Sequence, residues 1–284
     1  HSSRFEHCNK DIFGWQQNPY RSISGVSNEI DFFTNTNAIK KYKQRLRYII
    51  ARWGYSTNIG MYELSNELDF MNDGGKIYSG ACPNPTFVAN WWDNAYKMPV
   101  NNWHSIMAAY IKSIDKNHPI MYSNAIAQVF DQPTSSTNSA PIASDPNIDI
   151  LDFHQYGHDY NIGYQKSFVQ NKYLSKYNKP INIGETGFNG GGICSVQDPE
   201  NTLFHNELWY SAFSGSFSTG LYYFVGSEHH HPKWGVPFKK YYHFLPLQKT
   251  MSGLVFNDPN NPFEPIGNNY SAFLSYSPNK YGTT

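Results

Sequence analysis

Apolar residues recur along this chain at two spacings, one typical of helices and one typical of strands. Over residues 37–53 the apolar positions fall three or four residues apart, with Lys and Arg among the residues between them; they are Ile39, Tyr42, Leu46, Ile49 and Ile50. That period places the apolar side chains on one side of a helix. The sequence therefore predicts an amphipathic helix over 37–53.

Short apolar runs alternate with further helical patterns. The predicted strands cover 58–64, 119–123, 148–154, 180–185 and 220–225, and the predicted helices cover about 37–53, 100–116, 162–177, 200–215 and 239–252. Strands that alternate with helices indicate an α/β fold, in which helices connect the strands of a parallel sheet. Residues 1–36 and 70–98 are predicted to be loops.

The predicted strands carry polar residues at their C-terminal ends, where a (β/α)8 TIM barrel forms its catalytic face. Five strands cannot close an eight-stranded barrel, because both edges of the sheet would stay unpaired. We therefore expect residues 1–255 to be the C-terminal part of such a barrel, strands four to eight, and an upstream segment to supply strands 1–3. Residues 256–284 are rich in Pro and Asn, and we expect them to begin a β-rich extension.

Composition narrows the class of partner. The chain of 284 residues has a formal net charge of zero, which gives no electrostatic basis for binding nucleic acid. No apolar run approaches the length of a membrane span. Aromatic residues make up 17% of the chain, against 15% charged residues. Aromatic side chains fill cores and also stack on sugar rings, so the composition fits a carbohydrate-binding protein without requiring one.

Two glutamates end predicted strands that lie three strands apart. Glu67 follows the strand 58–64, and Glu185 ends the strand 180–185. Hydrolysis of a glycosidic bond with retention needs two carboxyl groups about 5–5.5 Å apart, and two barrel strands would hold them rigidly. Either glutamate alone fits a solvated surface acid equally well. Glu63 would lie on the same face as Glu67 and is its rival for the acid role.

Three segments resemble a known group of enzymes. Residues 52–59 (RWGYSTNI) and 63–67 (ELSNE) resemble the strand-four region of clan-A retaining glycoside hydrolases close to family 5, the cellulase- and mannanase-like TIM barrels. Residues 179–185 (KPINIGE) are similar to the nucleophile strand of that clan, and residues 152–156 (DFHQY) to its sixth strand. The order and spacing of the segments make the resemblance specific.

The resemblance implies a role for each matching residue. Glu67 would be the general acid/base, and Glu185 would be the nucleophile. Asn66 would hydrogen-bond the sugar 2-hydroxyl, and His154 or Tyr156 would orient the nucleophile.

Aromatic residues near the strand ends are the expected sugar contacts. The clan usually places a Trp at the end of strand eight, but the corresponding strand here has none, and the nearest is Trp234. We expect Tyr223, Trp234 and Trp92 to contact substrate. Asp149 and Asp152 are expected to orient neighbouring loops rather than to act in catalysis.

The predicted function is hydrolysis of a β-linked polysaccharide or oligosaccharide, such as a β-glucan or β-mannan, without a metal or cofactor. Three adjacent histidines at 229–231 suggest a metal but cannot all face one ion from a regular strand, and His154 with Glu185 lacks further ligands. The alternative is a non-catalytic barrel that binds carbohydrate or builds an extracellular assembly. Few Lys and a sequon at Asn269 predict an extracellular or cell-surface protein.

Overall fold

The computed structural model of the chain contains a parallel sheet backed by helices. It describes residues 18–67, 78–79, 86–87, 94–124, 127–134, 140–156, 172–187, 202–213, 221–222 and 240–253. The strands are β1 (Tyr62–Glu63), β2 (Tyr78–Ser79), β3 (Thr86–Phe87), β4 (Ile120–Asn124), β5 (Ile150–Tyr156), β6 (Ile181–Gly187) and β7 (Leu221–Tyr222). The helices are α1 (Glu29–Thr34), α2 (Thr36–Trp53), α3 (Asn94–Ile114), α4 (Thr202–Phe213) and α5 (Phe244–Ser252). Short 3-10 helices cover Pro19–Ser22, Ala127–Asp131, Ile142–Ser144 and Lys240–His243, and residues 172–177 are also helical.

Five strands pair in parallel in the order β1-β4-β5-β6-β7, while β2 and β3 form a separate antiparallel pair. Within the larger sheet, each described strand lies beside the one that follows it in sequence. This stepwise order is that of a β/α barrel rather than of a sheet that winds in two directions. The predicted parallel α/β architecture is confirmed. Among the described residues, β1 and β7 are the margins of the sheet.

The predicted amphipathic helix corresponds to α2. Its N-cap is Asn35, whose side-chain oxygen accepts hydrogen bonds from the backbone N–H groups of Asn37 and Ala38 at 2.9 and 3.1 Å. These bonds satisfy donors that the first turn of a helix leaves unpaired. The hydroxyl of Tyr42 on this helix donates a hydrogen bond to the carbonyl oxygen of Leu64, beside β1, at 3.2 Å, which ties the helix to one margin of the sheet.

Two segments predicted to be loops contain regular structure, so both predictions were wrong in part. Residues 70–98 include β2, β3 and the first turn of α3, which runs through Pro99. Residues 1–36 include α1, which starts with a capping box: Asn28 accepts from the backbone N–H of Asp31, and Asp31 accepts from that of Asn28. Capping and pairing stabilise such short elements, and apolar periodicity does not reveal them.

The two faces of the sheet have opposite character. Toward the helices, Tyr122, Phe153 and Ile183 are buried and share one apolar cluster with Trp103 of α3. Side chains alternate between the faces of a strand, and the buried side chains on the opposite face include the polar residues Ser123, Asp152, His154 and Asn182. Buried polar groups cost free energy unless they form hydrogen bonds. A functional site is therefore expected on this polar face, which is the inner face of the sheet, away from the helices.

No helix within the described ranges is long and apolar enough to cross a membrane. Residues 256–284 lie outside those ranges, so the β-rich extension stays a prediction. The upstream segment that would supply strands 1–3 also stays a prediction.

Candidate active site

Three titratable side chains meet at the C-terminal ends of the strands. Nδ1 of His154 lies 2.7 Å from Oε1 of Glu67 and 3.5 Å from Oε2 of Glu185. An oxygen of each glutamate and a ring nitrogen of His154 all lie within 4.8 Å of one another. Glu67 is buried, and the Glu185 side chain is 15% exposed. The fold therefore brings Glu67 and Glu185 together, although they are 118 residues apart in the sequence.

Glu67 has an unusual backbone conformation. Its φ is 51°, in the left-handed region, where a residue with a Cβ costs about 1–2 kcal/mol relative to the right-handed conformation. Strain of this kind is concentrated at functional sites. The position would favour glycine on conformational grounds, so the carboxylate is retained there at some cost in stability.

This strain gives a stability prediction. Glu67→Gly and Glu67→Ala remove the same carboxylate, but only Ala keeps the unfavourable Cβ. We expect the Gly variant to have the larger free energy of unfolding, by about 1 kcal/mol. Urea unfolding of the two variants side by side measures the difference. An Ala variant as stable as the Gly variant would contradict the left-handed conformation.

A buried histidine fixes the segment that precedes Glu67. Oγ of Ser65 lies 2.6 Å from Nε2 of His104, and Nδ1 of His104 lies 2.9 Å from the carbonyl oxygen of Val100. A carbonyl oxygen can only accept, so Nδ1 carries the proton and the Ser65 hydroxyl donates to Nε2. Burial lowers the pKa of His104 to about 4, against the opposing effect of the bond to Val100. The imidazole is therefore a neutral acceptor at ordinary pH.

We expect His104 to make the protein less stable in acid. Its pKa falls from an ordinary value of 6.5 to about 4 on folding, so the unfolded chain binds the extra proton in this window and stability is lost as pH falls through it. Between pH 6.5 and pH 5 the loss is about 2 kcal/mol. Urea unfolding at both pH values should show a smaller loss for His104→Gln, with the exposed His205→Gln as control. Equal pH dependence in His104→Gln and wild type would contradict this role.

A β-bulge turns Glu185 toward the inner face. Phe153 pairs with Ile183, but the next residue, His154, pairs with Glu185, so β6 carries one extra residue. Strict alternation from Ile183 would place Glu185 on the helix side of the sheet. After the bulge the alternation is reversed. Thr186 now lies on the helix side, where its hydroxyl donates a hydrogen bond to Glu207 of α4 at 2.8 Å, so Glu185 lies on the inner face.

Gly184 is the extra residue of the bulge, and it has no room for a side chain. A Cβ there would lie 2.5 and 2.6 Å from the two carboxylate oxygens of Asp152. We expect Gly184→Ala to lower the free energy of unfolding by about 1–3 kcal/mol and to impair the site by displacing Asp152. Gly60→Ala is the matched control, because no atom lies within 4 Å of its added Cβ. Equal urea-unfolding free energies for the two variants would contradict the crowding.

Asp152 lies on the far side of the His154 ring, with Oδ2 3.4 Å from Nε2. Burial alone would lower the pKa of His154. Hydrogen bonds with Asp152 and Glu67, together with the charges of Glu185 and Asp152, outweigh burial and raise this pKa to about 10. The ring is therefore an imidazolium at neutral pH. Asp152 was expected to orient a loop, and this expectation was wrong, because its partners lie on the inner face of the sheet.

Two further residues flank the carboxylates. Nδ2 of Asn66 lies 3.5 Å from Oε1 of Glu185, at the long limit of a hydrogen bond. Part of the Glu63 side chain on β1 is open to solvent, but protein atoms surround much of its carboxyl group. This partial removal from water raises the pKa of Glu63, and the negative charge of Asp152 raises it further. Of the two rivals for the acid role, Glu67 is the one hydrogen-bonded to His154.

Glu67, His154 and Glu185 are also the one group of three in the described part of the chain whose donor atoms are close enough to hold a metal ion together. A ligating imidazole must be deprotonated, and the raised pKa of His154 opposes this.

Several expected site residues lie outside the described residues. These are Trp92, Tyr223 and Trp234. The backbone of Tyr156 belongs to β5, but its side chain is not described. Their roles stay predictions. The partners Ser123, Asn182 and His104 were not foreseen. Ser123 lies on the inner face of β4. Asp152 lies two residues before His154, so alternation along the strand was the available signal for it. For Asn182 alternation misleads, because Asn182 lies three residues before Glu185 and only the bulge brings both to the inner face.

The chain matches a known family. The model of the family described as Cellulase (glycosyl hydrolase family 5) matches residues 15–210, which is more than half of the chain. Comparison with curated protein sequences gives no match.

Solved structures similar to this chain include enzymes from two organisms. The endo-1,4-beta-mannanase from Rhizomucor miehei is 19% identical, with a TM-score of 0.43 over 66% of this chain and 53% of that one. The hyperthermostable endo-1,4-beta-D-mannanase from Thermotoga petrophila RKU-1 is 16% identical, with a TM-score of 0.47 over 72% of this chain and 58% of that one. The chain thus spans just over half the length of these solved chains.

The family match agrees with the architecture already described. Parallel strands that follow one another in order, with helices on the outer face and polar groups at the C-terminal strand ends, form part of a (β/α)8 barrel. This chain belongs to the cellulase family, glycosyl hydrolase family 5.

Proposed function

We propose that this protein is a retaining glycosidase that cleaves β-linked polysaccharide or oligosaccharide by double displacement. The observation that carries the proposal is the approach of a Glu67 oxygen to within 4.8 Å of a Glu185 oxygen, with His154 in contact with both. Retaining glycosidases hold their carboxyl groups about 5–5.5 Å apart, whereas inverting ones need about 6.5–9.5 Å to admit a water. The short spacing supports retention.

In the first step, an oxygen of Glu185 attacks the anomeric carbon while Glu67 gives its proton to the leaving oxygen. The glycosidic bond breaks and a glycosyl ester of Glu185 forms. In the second step, ionised Glu67 takes a proton from water, the water oxygen attacks the anomeric carbon, and Glu185 leaves as a carboxylate. The imidazolium of His154 lies beside both carboxylates and stabilises the one that is negative at each stage.

The substrate class we propose is a β-glucan or a β-mannan. Membership of the family supports a glycan substrate. Glucose and mannose differ in configuration at C2, and Asn66, beside Glu185, is the residue we assign to the sugar 2-hydroxyl. A comparison of the two glycans therefore tests the surroundings of Asn66 as well as the substrate.

The proposal is tested by incubating the full chain with β-mannan, β-glucan and an α-glucan and following the products by proton NMR. We expect hydrolysis of at least one β-linked glycan, none of the α-glucan, and initial products in the β configuration. Initial products in the α configuration would contradict retention. Binding of a β-glycan without hydrolysis would favour the non-catalytic alternative.

We further propose that upstream barrel strands complete the sheet beside β1. The support is the margin of β1, whose described pairing is with β4 alone, together with the family match, since a closed barrel leaves no strand edge unpaired. Residues 1–284 expressed alone should then lack a cooperative thermal transition, so the unfolding and activity of every variant are to be measured on the protein that includes the upstream segment. A soluble monomer with such a transition would contradict this part.

We also propose an extracellular or cell-surface location, which the sequon at Asn269 supports. Detection of an N-glycan on the secreted protein would test it.

A further inference from the structure

Asp152 is the most enclosed carboxylate of the inner face. It is 1% exposed and lies at the centre of β5, between β4 and β6. A buried carboxylate is costly unless hydrogen bonds and a counter-charge compensate it. A fold that keeps one beside its catalytic residues has a use for its charge or its geometry.

The two neighbouring strands each hold this carboxylate by a hydrogen bond. The hydroxyl of Ser123 on β4 donates to Oδ2 at 2.7 Å, and the amide of Asn182 on β6 donates to Oδ1 at 2.6 Å. The missing side chain of Gly184 leaves space for both oxygens. With its other contacts made by β4 and β6, the carboxylate presents Oδ2 to Nε2 of His154 at 3.4 Å.

We propose that Asp152 is a positioning residue for the glycosidase reaction, which holds His154 by Nε2 so that the Nδ1–H points at Glu67 and Glu185. The inference rests on the proposed function. The groups that face His154 are four carboxylates from three strands or their ends, namely Glu63, Glu67, Asp152 and Glu185. Three of these are near the reacting atoms or open to solvent, whereas Asp152 is enclosed by its hydrogen bonds.

This placement has a consequence for the catalytic cycle. Glu185 loses its charge when the glycosyl ester forms, and Glu67 alternates between its protonated and ionised forms. Asp152 takes part in neither change, so it is a constant counter-charge for the imidazolium. With it, His154 stays protonated and oriented through both steps. Without it, the charge on His154 would depend on the state of the reacting carboxylates.

The test compares Asp152→Asn with Asp149→Asn. Asp149 carries the same group three residues earlier, where it accepts from the backbone N–H of Ile120 and pairs with Lys112, away from His154. On a β-glycan that the wild type hydrolyses, Asp152→Asn should lower kcat about 10- to 100-fold with little change in KM. Its pH profile should lose activity at lower pH than the wild type. Asp149→Asn should leave kcat and the profile unchanged.

A second measurement separates positioning from general stability. The side-chain nitrogen-15 shifts of His154, followed by NMR from about pH 6 to about pH 12, report the imidazolium directly. We expect the titration midpoint to fall by about one to three pH units in Asp152→Asn and to stay in place in Asp149→Asn. If Asp152→Asn does not fold, Gly184→Ala, whose added Cβ would displace the Asp152 oxygens, should lower the midpoint in the same direction.

The outcomes distinguish the two proposals. An unchanged His154 midpoint in Asp152→Asn, or in Gly184→Ala if the first variant does not fold, would overturn the positioning role even if the wild type is an active glycosidase. A wild type that hydrolyses no β-glycan would overturn the proposed function, while the NMR titration would still decide whether Asp152 controls His154.

Discussion

Glu185→Gln should reduce hydrolysis of a β-glycan by about 10⁴-fold or more, as expected when the nucleophile of a covalent mechanism is removed. An amide has nearly the same shape as the carboxylate, so the bulge and the neighbouring contact with Asn66 can persist. It cannot form the glycosyl ester, because it is a poor nucleophile and lacks the negative charge that faces His154. The measurement is kcat on the substrate for which the wild type is most active.

The control is Glu207→Gln. Glu207 is a buried glutamate that accepts a hydrogen bond from Thr186, the residue next to Glu185, on the opposite face of the sheet. Its amide variant should keep activity within a few-fold of wild type at a temperature where it is folded. If Glu185→Gln retained more than a tenth of wild-type kcat, Glu185 would not be the nucleophile.

Glu67→Gln should reduce hydrolysis of the same glycan by about 10²–10⁴-fold, the usual contribution of general acid–base catalysis. The loss should depend on the leaving group. A sugar hydroxyl needs a proton in order to leave, whereas a dinitrophenolate leaves without one. With a dinitrophenyl glycoside, Glu67→Gln should therefore form the glycosyl ester at a near-normal rate and be slow only in its hydrolysis, with a burst of dinitrophenolate in the first turnover.

The matched variant is Glu63→Gln, because Glu63 is the rival carboxylate on β1. Its effect should be similar for the glycan and for the dinitrophenyl glycoside, since a group that donates no proton gives no leaving-group dependence. A strong leaving-group dependence in Glu63→Gln, together with none in Glu67→Gln, would reassign the acid role to Glu63.

The sequence predicted the sheet well because its central strands are short, apolar and separated by helical periods. Residues 148–154 and 180–185 correspond to β5 and β6, and their parallel pairing is observed. The ends of parallel strands meet at one edge of the sheet. Glu67 and Glu185 could therefore be expected to approach one another before any coordinates were known.

The details of the site were less predictable because they depend on pairing between strands. Strict alternation along β6 would turn Glu185 to the helix side. Only the register shift from the Phe153–Ile183 pair to the His154–Glu185 pair shows that Gly184 is an extra residue. Asp152 was assigned to a loop role because its partners, Ser123 and Asn182, come from two other strands. Nothing near Asp152 in sequence indicates those partners.

The central claim is that Glu185 becomes covalently bonded to the sugar during turnover. A 2-deoxy-2-fluoro-β-glycosyl fluoride slows both steps by withdrawing electrons from the anomeric carbon, and its good leaving group lets the ester accumulate. The direct measurement is mass spectrometry of the full chain after incubation with this reagent, followed by mapping of the labelled peptide. The account predicts one added fluoroglycosyl group, attached to Glu185. A label on Glu67 or Glu63, or no label on a protein that hydrolyses the corresponding glycan, would contradict it.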